Sequence, residues 1–540
     1  MLARAYEEVV RYHERTKHHF HRFAPSLGYM DWESQPNPFR FYEGEPAVPL
    51  PLLQRDPAVD YADLYGRDHN QVRSFIPDNV AAFMELALGL SAWKAVPGSR
   101  WSLRINPSSG NLHPTESHLI LPPMDKLDGG IFHYNAFNHA LERRATVSRE
   151  LWQQVLDHLG CEGILVALTS IFWREAWKYG ERAFRYCNHD VGHALACLSF
   201  SANLQGWRVK VLNALSDEEL EKVLGFHKVP WEDGEEEVPE VLCFVYGSHV
   251  ADVPRSLPPR IVSAFSDLSF TGKPNILSEK RVPWEAISRV ASQTRKPPTP
   301  ERRYTFDRGA SWKEAFPSVM ASHVIRKRRS AVSFNDTGFL TLGQFSAILE
   351  RTLPRNHCPP FDVELMEPSI HLLLFVHGVR GLDQGLYFFL RNESHIDELT
   401  SLANPTFAWR KAHRDLPLFF LREGNLRRTA ARVSCDQDIA GDSVFSLGMI
   451  ARFRETIGAA PHRYRHLFWE SGMIGQVLYL EAEAHGAGGT GIGCFYDDPV
   501  HDIMGFRDNS FQSIYHFTIG EPVEDRRLTT YPPYAHLKKT

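Results

Sequence analysis

A chain of 540 residues with 43% apolar content has the length for more than one sizeable core and the apolar fraction of folded domains. Its 60 basic and 65 acidic residues leave a net charge of −5, too near neutral to advertise a nucleic-acid partner. The longest apolar stretches, 163–173 and 371–376, fall short of the roughly 18 residues a membrane span requires, so no membrane helix is expected.

In chain order, residues 6–19 read as a helix, and a Pro-rich, Trp-bearing segment through Asp31, Trp32, Pro36 and Pro38 should then wrap a surface in extended form. His13, His18, His19 and His21 read as a solvated, partly charged helix face, with metal binding the minority reading. Residues 119–121 and 164–168 are strand candidates, matched further on by 371–376. Asp190 to Gly206 has an acid at its start and a terminal glycine, the signals of a capped helix, and Glu470 to Gly486 repeats both. Between them, 254–305 is rich in Pro, Ser, Lys and Arg and reads as a connector.

An internal repeat organises these elements. With an offset of 280 positions, Arg185, Gly192, Leu198, Ala202, Gly206, Gly225 and Phe226 each meet an identical residue, and Asp190 meets Glu470. Upstream an offset of 255 to 256 pairs Arg73-Ser74 with Arg329-Ser330 and Gly130-Ile131-Phe132 with Gly385-Leu386-Tyr387. Two copies of one α+β domain are expected: an extension over 1–60, a first copy over 61–253, the connector over 254–305 and a second copy over 306–540.

Two segments carry the chemistry. Pro107, Ser108, Ser109, Gly110 and Asn111 offer small hydroxyl and amide groups with a glycine that lets backbone approach a ring edge. Arg328, Arg329 and Ser330 offer guanidinium forks and a hydroxyl for a phosphate. Together they read as an FMN site shared between the two halves. Lys178-Tyr179 is the candidate acid/base pair, since a lysine near a flavin and apolar walls can take a proton and a phenol beside it can relay one; the structural alternative is a solvated lysine and a core-anchoring tyrosine.

Other motifs weigh less. Residues 486–491 satisfy GxGxxG but follow a helix and lead toward a strand, the reverse of the dinucleotide-binding order. His189 and His193 lie four apart, with no third metal ligand evident and no metal expected. Seven scattered cysteines form no CxxC pair, and the amino terminus, with Glu7 and Glu8, lacks the form of a secretory signal, so a reduced, cytoplasmic setting is expected. Cys494 has no partner evident in sequence and reads as a small residue whose backbone N–H is used.

Tyr12 to His18, Asp31-Trp32, 107–111, Trp177 to Gly180 with Arg182 and Arg185, and Asp190 to His193 make the chain resemble double-domain members of the nitroreductase superfamily, in the branch of SagB-type and McbC-type azoline dehydrogenases. The resemblance implies two domains packed as an intramolecular pseudo-dimer around FMN. It gives phosphate contacts to Arg328, Ser330 and Arg527, a loop beside flavin N5 to Gly493 and Cys494, and ring contacts from the other half to Pro107, Ser108, Ser109 and Asn111. Val332 stands where the family often has a basic residue, which shifts weight to Arg329 and Arg527. In copy two the counterpart of 107–111 contains Asp362 and Glu364, and in copy one Arg73-Ser74 lacks the tandem arginine, so one site per chain is expected.

The implied reaction is hydride transfer to flavin N5 with proton removal by Lys178 or Tyr179, the substrate an azoline in a modified peptide or another small molecule. A nicotinamide-driven nitroreductase or flavin reductase is the alternative, and a non-catalytic flavin-binding or assembly subunit the second. The chain is expected to act as a monomeric pseudo-dimer or a homodimer.

Overall fold

The computed structural model describes residues 2–66, 71–125, 127–306 and 318–537. The front half holds strands β1 (Thr115–Leu121), β2 (Gly130–Asn135), β3 (Ala140–Thr146), β4 (Gly163–Ser170), β5 (Trp207–Val211) and β6 (Val238–Gly247). The back half holds β7 (Ile370–Val376), β8 (Gly385–Phe389), β9 (Leu418–Glu423), β10 (Phe445–Arg452), β11 (Gly488–Ile492) and β12 (Phe511–Pro522). Their spatial orders, β3-β2-β1-β4-β6-β5 and β9-β8-β7-β10-β12-β11, are the same order drawn twice, and the pairings are antiparallel. Register repeats as well: Leu119 faces Val166 in the first sheet, and Leu374, at the repeat position, faces Leu447 in the second. The fold is α+β, with helices packed on antiparallel sheets.

Four helices position the cavity between the halves: α1 (Leu2–Arg15), α2 (Phe172–Tyr179), α3 (Ala183–Leu204) and α4 (Arg463–Ala484). Helices α3 and α4 stand at the repeat offset, have equal length, and are buried nearly all round, so each half sets its long helix into the common core. They cross where the repeat has glycine. A β-carbon on Gly192 would lie 2.2 Å from the Trp469 carbonyl oxygen, and one on Gly472 would lie 2.2 Å from that of His189. Close backbone approach therefore explains why both copies carry glycine there.

The helices begin earlier than the acid-to-glycine pattern predicts. The run from Ala183 to His189 extends α3 by a full seven residues, so Asp190 is a buried mid-helix acid rather than a cap, as is Glu470. The glycine stops hold, Gly206 and Gly486 having φ of 72° and 74°. Strand β1 begins before its apolar part because Thr115, Glu116, Ser117 and His118 are buried and pair as strand with β4; Glu116 bonds Arg174 and His133. Helix α1 ends at Arg15, where the chain turns so that His18 bridges to Tyr496. The solvated-face reading of the histidines fails at two positions: His13 is buried between Tyr464 and Gln512, and His18 is buried beside Arg182 and Asp497.

The halves also exchange arms. Tyr61 N–H donates to the Val319 carbonyl and Ala321 N–H to that of Val59, while residues 529–531 pair with the front-half strand Leu90–Val96. The segment over 254–305 carries two helices, Pro259–Ser266 and Glu285–Gln293, whose apolar faces bury Ile261, Phe265, Ile287 and Val290. Residues 307–317, beyond that segment, lie outside the described residues.

Candidate active site between the halves

A cavity of about 900 Å³ opens between the halves. Pro107, Ser108, Ser109 and Asn111 line it from the front, and Arg328, Arg329, Ser330, Gly493 and Cys494 from the back. The front segment is shaped by left-handed backbone: Gly110, Asn111 and His113 have φ of 60°, 60° and 52°. Local bonds hold this conformation, with His113 N–H donating to Ser108 Oγ at 2.8 Å and Asn111 Nδ2 to the Ser102 carbonyl at 3.0 Å. A β-carbon at Gly110 would meet the Tyr179 hydroxyl at 2.6 Å, so the glycine lets this segment lie against α2.

At the other end stand two cations, Arg328 buried and Arg329 half-buried. Arg328 Nη2 donates to the carbonyls of Arg104 and Ile105, at 3.3 and 3.1 Å, and its guanidinium lies 5.1 Å from the Tyr479 ring centre. Arg329 is tied to the carbonyls of Arg326, Arg328 and Ser91. Ser330 Oγ shares a 2.8 Å hydrogen bond with Tyr479. Their neighbours Arg326 and Lys327 are neutralised by Asp56, Glu85 and Glu483, whereas among the described residues no carboxylate pairs with Arg328 or Arg329. Burial draws Arg328 below its ordinary range, and burial with the adjacent Arg328 charge draws Arg329 down to about 10. Two guanidiniums that share one wall without a counter-ion make a site for an anion.

Arg527 is not brought to that wall. Its side chain is 86% exposed and pairs with Asp525 at 2.8 Å, two residues away on the same turn. Lys94, which no sequence pattern singles out, lines the cavity instead, and the Arg329 charge bears on it. Its position comes from the pairing of Leu90–Val96 with the carboxy-terminal arm.

Lys178 and Tyr179 end α2 at the front of the cavity. Tyr179 lines it, its ring 4.7 Å from that of Tyr186 and its phenol held well above the ordinary range by burial and by Glu175. Lys178 is exposed, its ammonium 5.2 Å from the Tyr179 ring centre and 3.3 Å from the β-carbon position of Gly110. The Gly493-Cys494 loop is fixed from beneath by Arg182, which donates to the Gly493 carbonyl at 3.2 Å and to Asp497 at 3.0 Å. The amino-terminal segment lies over the same helix, the Asp31 carbonyl accepting from Trp177 Nε1 at 2.8 Å. His189 bonds the Ile514 carbonyl, and His193, which lines the cavity, bonds Tyr515 and Gln476.

A second group that the sequence does not advertise is a pair of buried acids. Asp190 Oδ1 accepts from the N–H and hydroxyl of Ser109, at 3.2 and 3.4 Å, while Asp190 Oδ2 and both oxygens of Glu175 lack a hydrogen-bond partner. At the repeat position Glu470 is paired with Arg391 and with Ser369 N–H, so only the front copy leaves its acid without a cation, and there it faces the cavity. Burial pushes the Asp190 carboxyl up to about 7, and burial with the Asp190 charge raises that of Glu175 well above its usual range.

Because the folded value of Asp190 lies above the unfolded one, its contribution to stability is complete below about pH 4 and is lost as pH rises through about 7. Asp190→Asn is therefore expected to gain on the native protein in melting temperature between pH 5 and pH 8. Thermal unfolding of both across that range measures it, and a pH-independent difference would mean that Asp190 is ionised throughout.

The counterpart site in the other half is built differently. Asp362 accepts from Ser199 Oγ at 2.6 Å, Glu364 pairs with Lys210 and with Arg255 at 2.8 Å, and Arg73 and Ser74 are exposed.

No family model matches the chain. A protein of Methanocaldococcus jannaschii named "Putative nitroreductase" is 24% identical over 128 residues, which cover 23% of this chain and 65% of that relative's length. The crystal structure of "a putative nitroreductase" from Anabaena variabilis superposes with a TM-score of 0.69 at 21% identity, covering 96% of this chain and 99% of that one. That likeness is one of fold, and it extends through both halves. Among the described residues no helix is long and apolar enough to cross a membrane.

Proposed function

We propose that the chain is an FMN-dependent oxidoreductase that draws a proton and a hydride from a small or peptide-borne heterocycle, the azoline-to-azole class of reaction. The observation that carries this reading is a pair of guanidiniums with no carboxylate partner among the described residues, the buried Arg328 and the half-buried Arg329, at one end of a cavity whose front edge carries Tyr179 with Lys178 beside it. The residues fit FMN. A dianionic phosphate answers the unpaired charge of Arg328 and Arg329 with Ser330 as hydrogen-bond donor, and the volume is within the roughly 300–1,000 Å³ of small-molecule sites. FMN, when bound, would supply the two-electron acceptor that no side chain provides.

The chain's own groups then have distinct tasks. Lys178 Nζ, in its unprotonated amine form, takes the substrate proton at the mouth, and the Tyr179 hydroxyl, a phenol kept protonated by its surroundings, orients the substrate and relays the proton. Ser109, anchored to Asp190, fixes the segment that meets the ring edge. The placement of both arginines on the cavity wall, with Arg328 buried, weighs against a non-catalytic scaffold. The exposure of Lys178 favours a second reading, in which the open mouth admits a nicotinamide and the chain acts as a reductase of nitroaromatics or quinones.

Anaerobic mixing separates the two. On the proposed reading an azoline peptide bleaches the bound flavin and NADH or NADPH does so poorly; rapid bleaching by a nicotinamide with none by the azoline would establish the reductase instead.

A further inference from the structure

Cys494, which lines the cavity, has a partner that lies 59 positions away in the chain. Cys435 sits in the turn after the helix Arg427–Val433, where both Cys435 and Asp436 adopt left-handed backbone with φ of 57° and 56°. Three bonds clasp this turn to the Cys494 loop. Tyr496 N–H donates to the Val433 carbonyl at 2.9 Å, Gln437 Nε2 to the Cys494 carbonyl at 3.0 Å, and the Tyr496 hydroxyl to Asp436 at 3.0 Å. The clasp sets the Cys435 turn directly against the Cys494 loop, and each thiol bears on the other. Both are free and partly exposed, whereas Cys187, Cys197 and Cys243 are buried.

We propose that Cys435 and Cys494 form a thiol–disulfide exchange site, opening on the cavity, whose substrates are low-molecular-weight disulfides such as glutathione disulfide. The Cys494 sulfur attacks one sulfur of the incoming disulfide, forming a mixed disulfide and expelling one thiolate. The Cys435 sulfur then attacks Cys494, closing the intramolecular bond and expelling the second. The two thiol protons pass to the expelled thiolates, so the chain loses two electrons and the small disulfide gains them. Cys494 is the attacking group because it lines the cavity whereas Cys435 does not, and because the neighbouring Cys435 thiol and the Arg182 charge favour its thiolate, while the Cys494 neighbour and burial raise Cys435. The exchange draws on no cofactor, and its readout, the linked peptide, is separate from flavin content.

The full-length protein is incubated with glutathione disulfide, quenched with acid, its remaining thiols blocked, and digested without reduction. The expected product is a peptide linking Cys435 to Cys494, lost again on adding reduced glutathione. Cys435→Ser is expected to trap one glutathione on Cys494, about tenfold faster than on Cys161 or Cys358, the other partly exposed cysteines. A stable glutathione adduct on Cys494 of the native chain without the linked peptide would overturn the proposal. So would preferential modification of Cys161 or Cys358. Matching circular dichroism of Cys435→Ser and Cys494→Ser excludes misfolding as the origin of either result.

Discussion

Arg328→Ala is expected to weaken flavin retention by at least about tenfold, since a charge-assisted hydrogen bond is worth roughly 1.5–3 kcal/mol. Arg328 is the sharper probe of the two arginines because it spans the halves: it leaves the back half at the end of the helix Ala321–Lys327 and bonds the front-half carbonyls of Arg104 and Ile105. Its removal frees those carbonyls as well as the anion site, so melting temperature should be recorded alongside flavin content. Adding excess FMN should restore occupancy of a folded variant. Arg527→Ala serves as the control, and its exposed pairing with Asp525 predicts flavin retention like that of the native protein. Equal loss in the two variants would deny Arg328 its part in binding.

Lys178→Ala is expected to leave flavin bound while slowing azoline-driven bleaching by roughly 10²–10⁴, the range for a positioned acid or base. Its side chain is exposed and forms no ion pair among the described residues, so truncation should cost little stability. Stopped-flow absorbance under anaerobic conditions gives the rate directly. A rate within about twofold of the native one would make Lys178 a surface residue and shift the proton transfer to Tyr179 or to the buried acids.

Much of the fold was legible because the repeat is written in residues with steric jobs. Gly192 and Gly472 are conspicuous in sequence since no side chain fits where α3 and α4 cross, and Gly206 and Gly486 since each ends a helix with positive φ. The two segments that line the cavity were legible for a similar reason: a glycine beside hydroxyls and a tandem arginine are compact, local patterns. What failed was whatever depends on burial. An acid sixteen residues before a glycine looks like a cap, yet Asp190 is deep in α3, and only the packing of Glu175 and Ser109 against it makes it a candidate proton holder. Arg527 and Lys94 illustrate the same limit. Both are single cations near strands, and only the path of the carboxy-terminal arm sets one in solvent and the other on the cavity wall. The polar start of β1 was missed because Glu116 is buried with Arg174 and His133, partners that lie far from it in the alternation of the strand itself.

One flavin site per chain, built from both halves with its phosphate end at Arg328 and Arg329, is the proposition on which the proposed chemistry depends. Its most direct test is to saturate the purified protein with flavin, remove the excess, denature it, and quantify and identify what is released per chain. One FMN per chain is the expected result. Two per chain, FAD in place of FMN, or none after reconstitution would contradict it.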